Sequence, residues 1–323
     1  MELDFVQLVA YHNLLEHQSC MNMRKTLSPG LDHILHTVER HADFASLALI
    51  EKQQQIQTAF DQFEQELDRI KWQVRDKIAQ QETVWYQRSY QQYEGTLQDR
   101  LSQRPEFVQE YRNQRRSISA EMDHVLQSRV MRYGDWRHAG MIIHPGSEQF
   151  LDHLVGLDPL YLVDESLYLL EPVLAQHTEV YQRRLRTYTI EENLDRSILS
   201  QIPNDQFAFC LVYNYFEFRP VDMIRRYLDE IWHKLKPGGI LAMTFNDCDR
   251  VSAVQLVDRN FACYTPGRVI RDLAQLQGYE IEFEWSDEGP TTWLELKRPG
   301  TLTSLRGGQT LAKIVPYSVE NSK

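Results

Sequence analysis

Polar residues that could act on a ligand follow several short apolar runs in the second half of the chain. His144 and Asp164 close two of these runs, and Glu191, Glu192 and Asn214 follow two more. Ligands of open α/β sheets bind at the carboxyl ends of the strands, so these positions are the first candidates for a binding site. His144 has a side-chain pKa suited to proton transfer near neutrality, which makes it a candidate general base.

Each candidate also has a structural interpretation. His144 could be a satisfied polar residue at a strand end. Asp164 could be an acid preceding a helix that Ser166 caps. Tyr213 and Tyr215, which flank Asn214, could be packing residues, because aromatic residues are common in strands.

The elements that would position these residues form an alternating pattern after residue 133. Short apolar runs separated by amphipathic stretches predict a mostly parallel sheet with crossover helices. We expect seven strands, at 140–144, 160–164, 186–190, 207–213, 239–245, 279–285 and 292–297, and helices at 147–155, 166–184, 195–201, 221–235 and 266–277. Only residues 286–290 join the last two strands, and such a hairpin makes the last strand antiparallel.

The first 130 residues have a different texture. Residues 38–101 contain no proline and one glycine, Gly95, and are rich in Gln, Glu, Asp, Arg and Lys, which predicts a long exposed helix. Apolar residues recur in steps of three and four at Ile56, Phe60, Phe63, Leu67, Ile70 and Val74. This seam predicts contact with another helix, in a helical hairpin, a dimer or a complex with a partner protein.

We therefore predict an α/β protein with a doubly wound, seven-stranded sheet, preceded by an all-α, coiled-coil-like region. The predicted domains are 1–132, a helical oligomerisation or interaction region, and 133–298, the sheet domain. Residues 299–323 are predicted to form a C-terminal extension.

Composition narrows the possible partners. The chain has 323 residues, with 35 Lys and Arg against 46 Asp and Glu, and a net charge of -11. Nucleic acid is not favoured as a partner, because the arginines between 112 and 137 are interleaved with acids.

Neither a metal site nor a membrane segment is expected. The four cysteines are scattered, and the clustered histidines His33, His36 and His41 have no carboxylate at matching spacing. The start of the chain lacks the basic region of a signal peptide, and no run is long enough to span a bilayer. These features predict a cytoplasmic protein.

Two segments carry a resemblance to a known family. Residues 231–243, with Lys236-Pro237-Gly238-Gly239 at their centre, look like the turn that leads into the fifth strand of class I S-adenosylmethionine-dependent methyltransferases. Residues 264–280, with Gly278-Tyr279 before the sixth strand, also resemble that family. The order of predicted strands and helices is similar as well, so the resemblance covers residues 131–298.

The resemblance implies an S-adenosylmethionine site at the strand ends. Gly146 matches one glycine of the family's cofactor loop, while His144 stands in place of its acid, and Glu148 and Phe150 replace two further glycines. Asp164 matches the acid that accepts both ribose hydroxyls. The remaining matches follow the third and fourth strands: Glu191 and Glu192 for the adenine, and Tyr213, Asn214 and Tyr215 beside the transferable methyl group.

Two functions follow as hypotheses. The first is an S-adenosylmethionine-dependent methyltransferase with an unidentified methyl acceptor, whose helices mediate self-association or bind a protein partner. The second is a catalytically inactive protein of the same fold that serves as a structural or interaction module in a larger assembly.

Overall fold

The computed structural model describes residues 44–103, 120–145, 148–192, 195–258, 262–286 and 289–303. Its helices are α1 (Phe44–Gln103), α2 (Ala120–Val130), α3 (Glu148–Leu154), α4 (Leu167–Ala175), α5 (Glu179–Gln182), α6 (Val221–Lys234), α7 (Val251–Asp258) and α8 (Gly267–Gln277). Short 3-10 helices span Met131–Tyr133 and Phe216–Phe218. The strands are β1 (Ala139–Ile143), β2 (Leu160–Asp164), β3 (Leu185–Thr189), β4 (Phe207–Val212), β5 (Leu235–Asn246), β6 (Glu280–Ser286) and β7 (Thr291–Lys297).

The strands form one seven-stranded sheet in the order β3-β2-β1-β4-β5-β7-β6. Strands β1 to β5 pair in parallel, and β7 is antiparallel to both β5 and β6. The predicted doubly wound sheet with an antiparallel last strand is therefore confirmed. The strand order reverses direction at β1, which makes the crevice between β1 and β4 the topological switch point.

Each face of the sheet has its own apolar core. One core contains Tyr227 and Ile231 of α6 with Ile270 of α8, and the other contains Leu126 of α2 and Leu151 of α3. Strands β1, β2 and β4 are buried along their whole length, as expected for parallel strands covered by helices on both sides. This packing holds their carboxyl ends at fixed positions.

The sequence prediction is wrong in three places. No helix forms at 195–201, because the Glu230 carboxylate accepts the backbone N–H groups of Ile198 and Leu199 at 2.8 and 2.7 Å and holds a turn there. The helix predicted at 166–184 is divided into α4 and α5, and α7 was not predicted.

The segment Lys236-Pro237-Gly238-Gly239 lies inside β5 rather than before it. Leu235 pairs with Phe207 and Ile240 with Phe209, so the segment forms an irregularity opposite a single residue of β4. Gly238 has a φ of +81°, and a Cβ on Gly239 would lie 2.8 Å from the carbonyl oxygen of Phe207. Both glycines are therefore required by the backbone path.

The predicted long helix is confirmed as α1, which has 60 residues. The chain separates into two compact units, Met1–Gln81 and Glu82–Lys323. This division lies within α1, whereas the change in composition predicts a domain boundary near residue 132; that boundary stays a prediction. In the first unit, Ile56 and Phe63 of the apolar seam are 55% and 57% exposed.

Candidate functional site

The carboxyl ends of β1 and β2 bring His144 and Asp164 together. The Nδ1 atom of His144 lies 3.0 Å from Oδ1 of Asp164, and both side chains are buried. Because a carboxylate only accepts, the imidazole donates Nδ1–H, which fixes its tautomer and orientation. The backbone of His144 has a φ of +63°, so the chain turns sharply as it leaves β1.

Asp164 keeps one oxygen uncommitted within the described part of the chain. Its Oδ1 accepts both His144 Nδ1–H and the backbone N–H of Glu165, the latter at 2.7 Å. Among the described residues, no hydrogen bond to Oδ2 is found. Asp164 can therefore orient His144 and still accept a hydrogen bond from a ligand.

Tyr215, which follows β4, connects this pair to a larger group. Its ring stacks on the His144 imidazole with centroids 4.7 Å apart. Its hydroxyl lies 3.0 Å from Glu165, 2.7 Å from Glu192 and 3.2 Å from the hydroxyl of Tyr227. Burial raises the pKa of Tyr215 well above its usual value, so the hydroxyl stays protonated as a hydrogen-bond donor.

Arg219 is the centre of this group, which we call the arginine network. Its guanidinium forms ion pairs with Glu165 and, at 2.8 Å, with Glu192, and it lies 4.0 Å from the centroid of the Tyr215 ring. The network consists of Arg219, Glu165, Glu192, Tyr215, Tyr227 and Tyr86. All six side chains are buried, and the network carries two carboxylates for one guanidinium.

The pKa of Glu192 shows what Arg219 does electrostatically. Burial raises the pKa of this carboxyl, but the Arg219 charge and the hydrogen bonds from Arg219, Tyr86 and Tyr215 outweigh burial and hold it below its usual range. Glu192 is consequently ionised at neutral pH. Because its oxygens are engaged inside the network, the structure does not leave Glu192 available in the way its predicted contact with adenine requires.

The other predicted site residues take separate positions. Asn214 is half-buried with a φ of +50°, and its backbone N–H donates to Thr244 Oγ1 at 2.7 Å. Tyr213 packs in the core on the opposite side of the sheet from Tyr215, so the structure does not bring the two tyrosines to one face. Glu191 is exposed. Gly146 lies outside the described residues, as do the side chains of Glu148 and Phe150.

A second polar group at the same edge has no cation. We call Glu82, Glu217, Asn246 and Cys263 the neutral-acid group. Burial raises the pKa of Glu82 to about 8 and the pKa of Glu217 to about 7. The backbone connects the members, since Cys263 N–H donates to the carbonyl of Glu217 at 2.8 Å and Asn246 Nδ2 donates to the carbonyl of Cys263 at 3.1 Å.

Sequence reasoning missed Glu165, Arg219, Tyr227, Tyr86 and the neutral-acid group. Arg219 had a weak local signal, because it ends an aromatic stretch only five residues after Asn214. Tyr86 had none, since its partner Glu192 lies 106 residues away in sequence. Within the described ranges, no cluster of three His, Cys, Asp or Glu side chains could hold a metal ion. No described helix is long and apolar enough to cross a membrane.

Comparisons with known proteins agree with the sheet topology. No protein-family model matches the chain, and no curated protein matches it. Among solved structures, an O-methyltransferase family protein from Burkholderia thailandensis is 15% identical with a TM-score of 0.48, and the match covers 63% of each chain. The N-methyltransferase NodS from Bradyrhizobium japonicum, solved with S-adenosyl-L-homocysteine, is 14% identical with a TM-score of 0.40, covering 55% of this chain and 87% of NodS.

A third similar structure is the mitomycin 7-O-methyltransferase MmcR, which is 17% identical with a TM-score of 0.41 and covers 54% of each chain. The present chain spans 63% of the length of the Burkholderia protein. These similarities concern the fold alone. With its mostly parallel seven-stranded sheet and antiparallel β7, the chain has a class I methyltransferase-like fold.

Proposed function

We propose that the chain is an S-adenosylmethionine-dependent methyltransferase that binds its cofactor at the switch point between β1 and β4. The observation that carries this proposal is the buried pair of His144 and Asp164 at the carboxyl ends of β1 and β2, with the uncommitted oxygen of Asp164. A ligand at a switch point is bound by residues at strand ends, and these are such residues.

The donors and acceptors at this edge fit the cofactor. Asp164 Oδ2 would accept a ribose hydroxyl while His144 holds the carboxylate in place. Glu191, which is exposed after β3, would accept the adenine amino group in preference to Glu192. Gly146 keeps its proposed place in the loop between β1 and α3. The bound cofactor would supply an electrophilic methyl group on a sulfonium.

The chain's own residues would position the acceptor and handle its proton. Asn214, at the end of β4, is proposed to face the methyl acceptor with its half-exposed side chain. His144, in the tautomer set by Asp164, would be the proton acceptor. Tyr215 would act as a positioning residue through its stacking on His144. Tyr213 keeps a proposed role beside the acceptor only if that role can be filled from the other side of the sheet.

The direct test is titration calorimetry with S-adenosylmethionine and S-adenosylhomocysteine, using protein shown to retain no cofactor from purification. We expect micromolar binding by the wild type. Asp164→Asn should weaken binding by about tenfold or more, because it alters a hydrogen bond from a charged acceptor. Asp158→Asn is the matched control, since Asp158 pairs with Arg184 at the other end of β2. Equal binding by Asp164→Asn and wild type would exclude the ribose role.

One observation favours the second hypothesis, an inactive interaction module. The arginine network buries charged side chains at the carboxyl ends of β2, β3 and β4, and Glu192 is engaged there rather than facing a ligand. A wild type that shows a cooperative thermal transition but no heat with either ligand would support this alternative.

In both cases we propose that α1 mediates self-association or binds a protein partner. The exposed apolar residues Ile56 and Phe63 support this role, since a solvated helix gains stability by burying such a seam. Sedimentation equilibrium of the wild type and of Ile56→Lys would test it, because a lower mass is expected for the variant if the seam holds copies together. A cytoplasmic location stays a prediction.

A further inference from the structure

Residues 82–86 of α1, which we call the strap, contact three separate elements at the carboxyl edge of the sheet. Glu82 Oε1 accepts the backbone N–H of Tyr264, in the segment before α8, at 2.8 Å. Thr83 Oγ1 donates to Asp222, at the start of α6, at 3.1 Å. The Tyr86 hydroxyl donates to Glu192, which follows β3. The strap therefore crosses the edge at which we propose that ligands bind.

Glu82 differs from the other two contacts because its charge has no partner. The residue is 6% exposed, and its Oε2 has no hydrogen-bond partner among the described residues. Within the same ranges, no Lys, Arg or His forms an ion pair with it. Burying an ionised carboxylate without a counter-charge is strongly unfavourable, whereas a protonated carboxyl can be buried with a hydrogen bond.

We propose that the strap is a pH-sensitive closure of the carboxyl edge, which docks with the Glu82 carboxyl protonated and loosens when that carboxyl ionises. Burial raises the pKa of Glu82 in the docked strap to about 8 from its usual value of 4.5. Docking is therefore strongest below pH 4.5 and weakens by about tenfold per pH unit until about pH 8, where the effect levels off.

The neighbouring titratable groups do not reverse this dependence. Glu82 faces the thiols of Cys263 and Cys248, whose pKa values burial raises well above the usual range, so both stay neutral. Tyr86 faces the arginine network, where the pKa of Glu192 is lowered and the pKa of Arg219 is raised well above its usual value. Thr83 faces Asp222 through a neutral hydroxyl.

Cys263 reports whether the strap is docked, because it is buried beside Glu82. The rate at which N-ethylmaleimide labels Cys263 can be followed by mass spectrometry of its peptide from pH 5.5 to 9. Thiol ionisation also changes with pH, so each wild-type rate is divided by the rate of Glu82→Gln at the same pH. The amide in that variant keeps an acceptor for Tyr264 N–H and cannot ionise.

The expected result is a rate ratio that rises by about tenfold per pH unit from pH 5.5 to 7.5 and flattens near pH 8. A ratio that does not change with pH would overturn the proposal. Glu217→Gln is the matched control: it makes the same chemical change in another buried carboxyl, and no described hydrogen bond links that carboxyl to the strap. The ratio of wild type to Glu217→Gln should stay constant with pH.

A second measurement applies if Glu82→Gln does not fold. Infrared spectra of the Glu217→Gln protein should show a protonated carboxyl that titrates with a midpoint near pH 8, and its absence at pH 6.5 would also overturn the proposal. Neither measurement uses a cofactor or a methyl acceptor. The strap can therefore fail while S-adenosylmethionine binding is observed, or be confirmed when no binding is found.

Discussion

The arginine network and the neutral-acid group lie at the same edge of one sheet, and both bury carboxyl groups. In the network, the pKa of Glu192 is held below its usual range. In the neutral-acid group, burial raises the pKa of Glu82 to about 8 and that of Glu217 to about 7. Because burial raises the pKa in all three, the difference comes from the cation and hydrogen-bond donors, which only the network has.

This difference gives the two groups different effects on stability. Carboxylates paired with Arg219 stabilise the fold at neutral pH but depend on that single residue. The carboxyls of the neutral-acid group need no partner at low pH and destabilise the fold as they ionise. Removing the cation should therefore damage the network strongly, whereas removing a carboxyl from the neutral-acid group should relieve a penalty.

The largest effect is expected for Arg219→Met. The substitution leaves Glu165 and Glu192 buried without a counter-charge, and breaking one side of a buried ion pair costs about 3–5 kcal/mol. The free energy of unfolding at pH 7, from urea denaturation, measures this loss. Adding Glu192→Gln to Arg219→Met should restore part of it.

Arg225→Met is the control, because Arg225 pairs with Asp222 through a side chain that is 64% exposed. We expect a change within about 0.5 kcal/mol for this variant. If Arg219→Met were as mild as Arg225→Met, the network would not depend on its guanidinium, and the contrast between the two groups would be lost.

A smaller effect of opposite sign is expected for Glu217→Gln. In the wild type, the folded-state pKa of Glu217 is raised from 4.5 to about 7. Stability is therefore unaffected by this group below pH 4.5 and is lost as the pH rises towards 7, by at most about 3 kcal/mol at 1.36 kcal/mol per pKa unit. The amide variant should lack this loss and be relatively more stable at pH 8 than at pH 4.5.

Urea denaturation of both proteins between pH 4.5 and 8 would measure the difference. Glu295→Gln provides the opposite case: burial raises its pKa, but Arg129, Tyr133 and Trp293 outweigh burial and lower it. That variant should lose more stability at pH 7 than at acid pH. A stability difference for Glu217→Gln that is constant with pH would show that Glu217 does not titrate in this range.

The sequence was informative where the signal is local. All seven strands could be predicted, because apolar runs that end in Asp164 or precede Asn214 are visible along the chain. The arginine network could not be predicted, because Glu192 and Tyr86 are far apart in sequence and come together only through packing. The turn at 195–201 was missed for the same reason, since Glu230, which holds it, belongs to α6.

The neutral-acid group was hidden for a different reason. Glu82 occurs in a helix rich in exposed acids, and nothing in the local sequence separates it from its neighbours. Its distinct chemistry arises only because Tyr264 and Cys263 pack against it. A buried acid on a polar helix can therefore be found from the structure but not from hydrophobic periodicity.

The smallest effect is expected for Tyr86→Phe, which connects the strap to the network. The variant loses one hydrogen bond to the ionised Glu192, and such bonds contribute about 1.5–3 kcal/mol. We expect the lower end of this range, because Arg219, Tyr215 and Tyr227 still bond to Glu192. Tyr161→Phe is the control, since its hydroxyl makes a 3.2 Å bond to the neutral Gln206 amide.

Tyr86→Phe also separates the contributions of the two groups to docking. Loss of its hydrogen bond should increase the labelling of Cys263 by a similar factor at every pH, because Tyr86 does not ionise in this range. Glu82→Gln should instead remove the pH dependence. If Tyr86→Phe changed the slope of labelling against pH, the arginine network would take part in the pH response, and the two groups would act as one electrostatic unit.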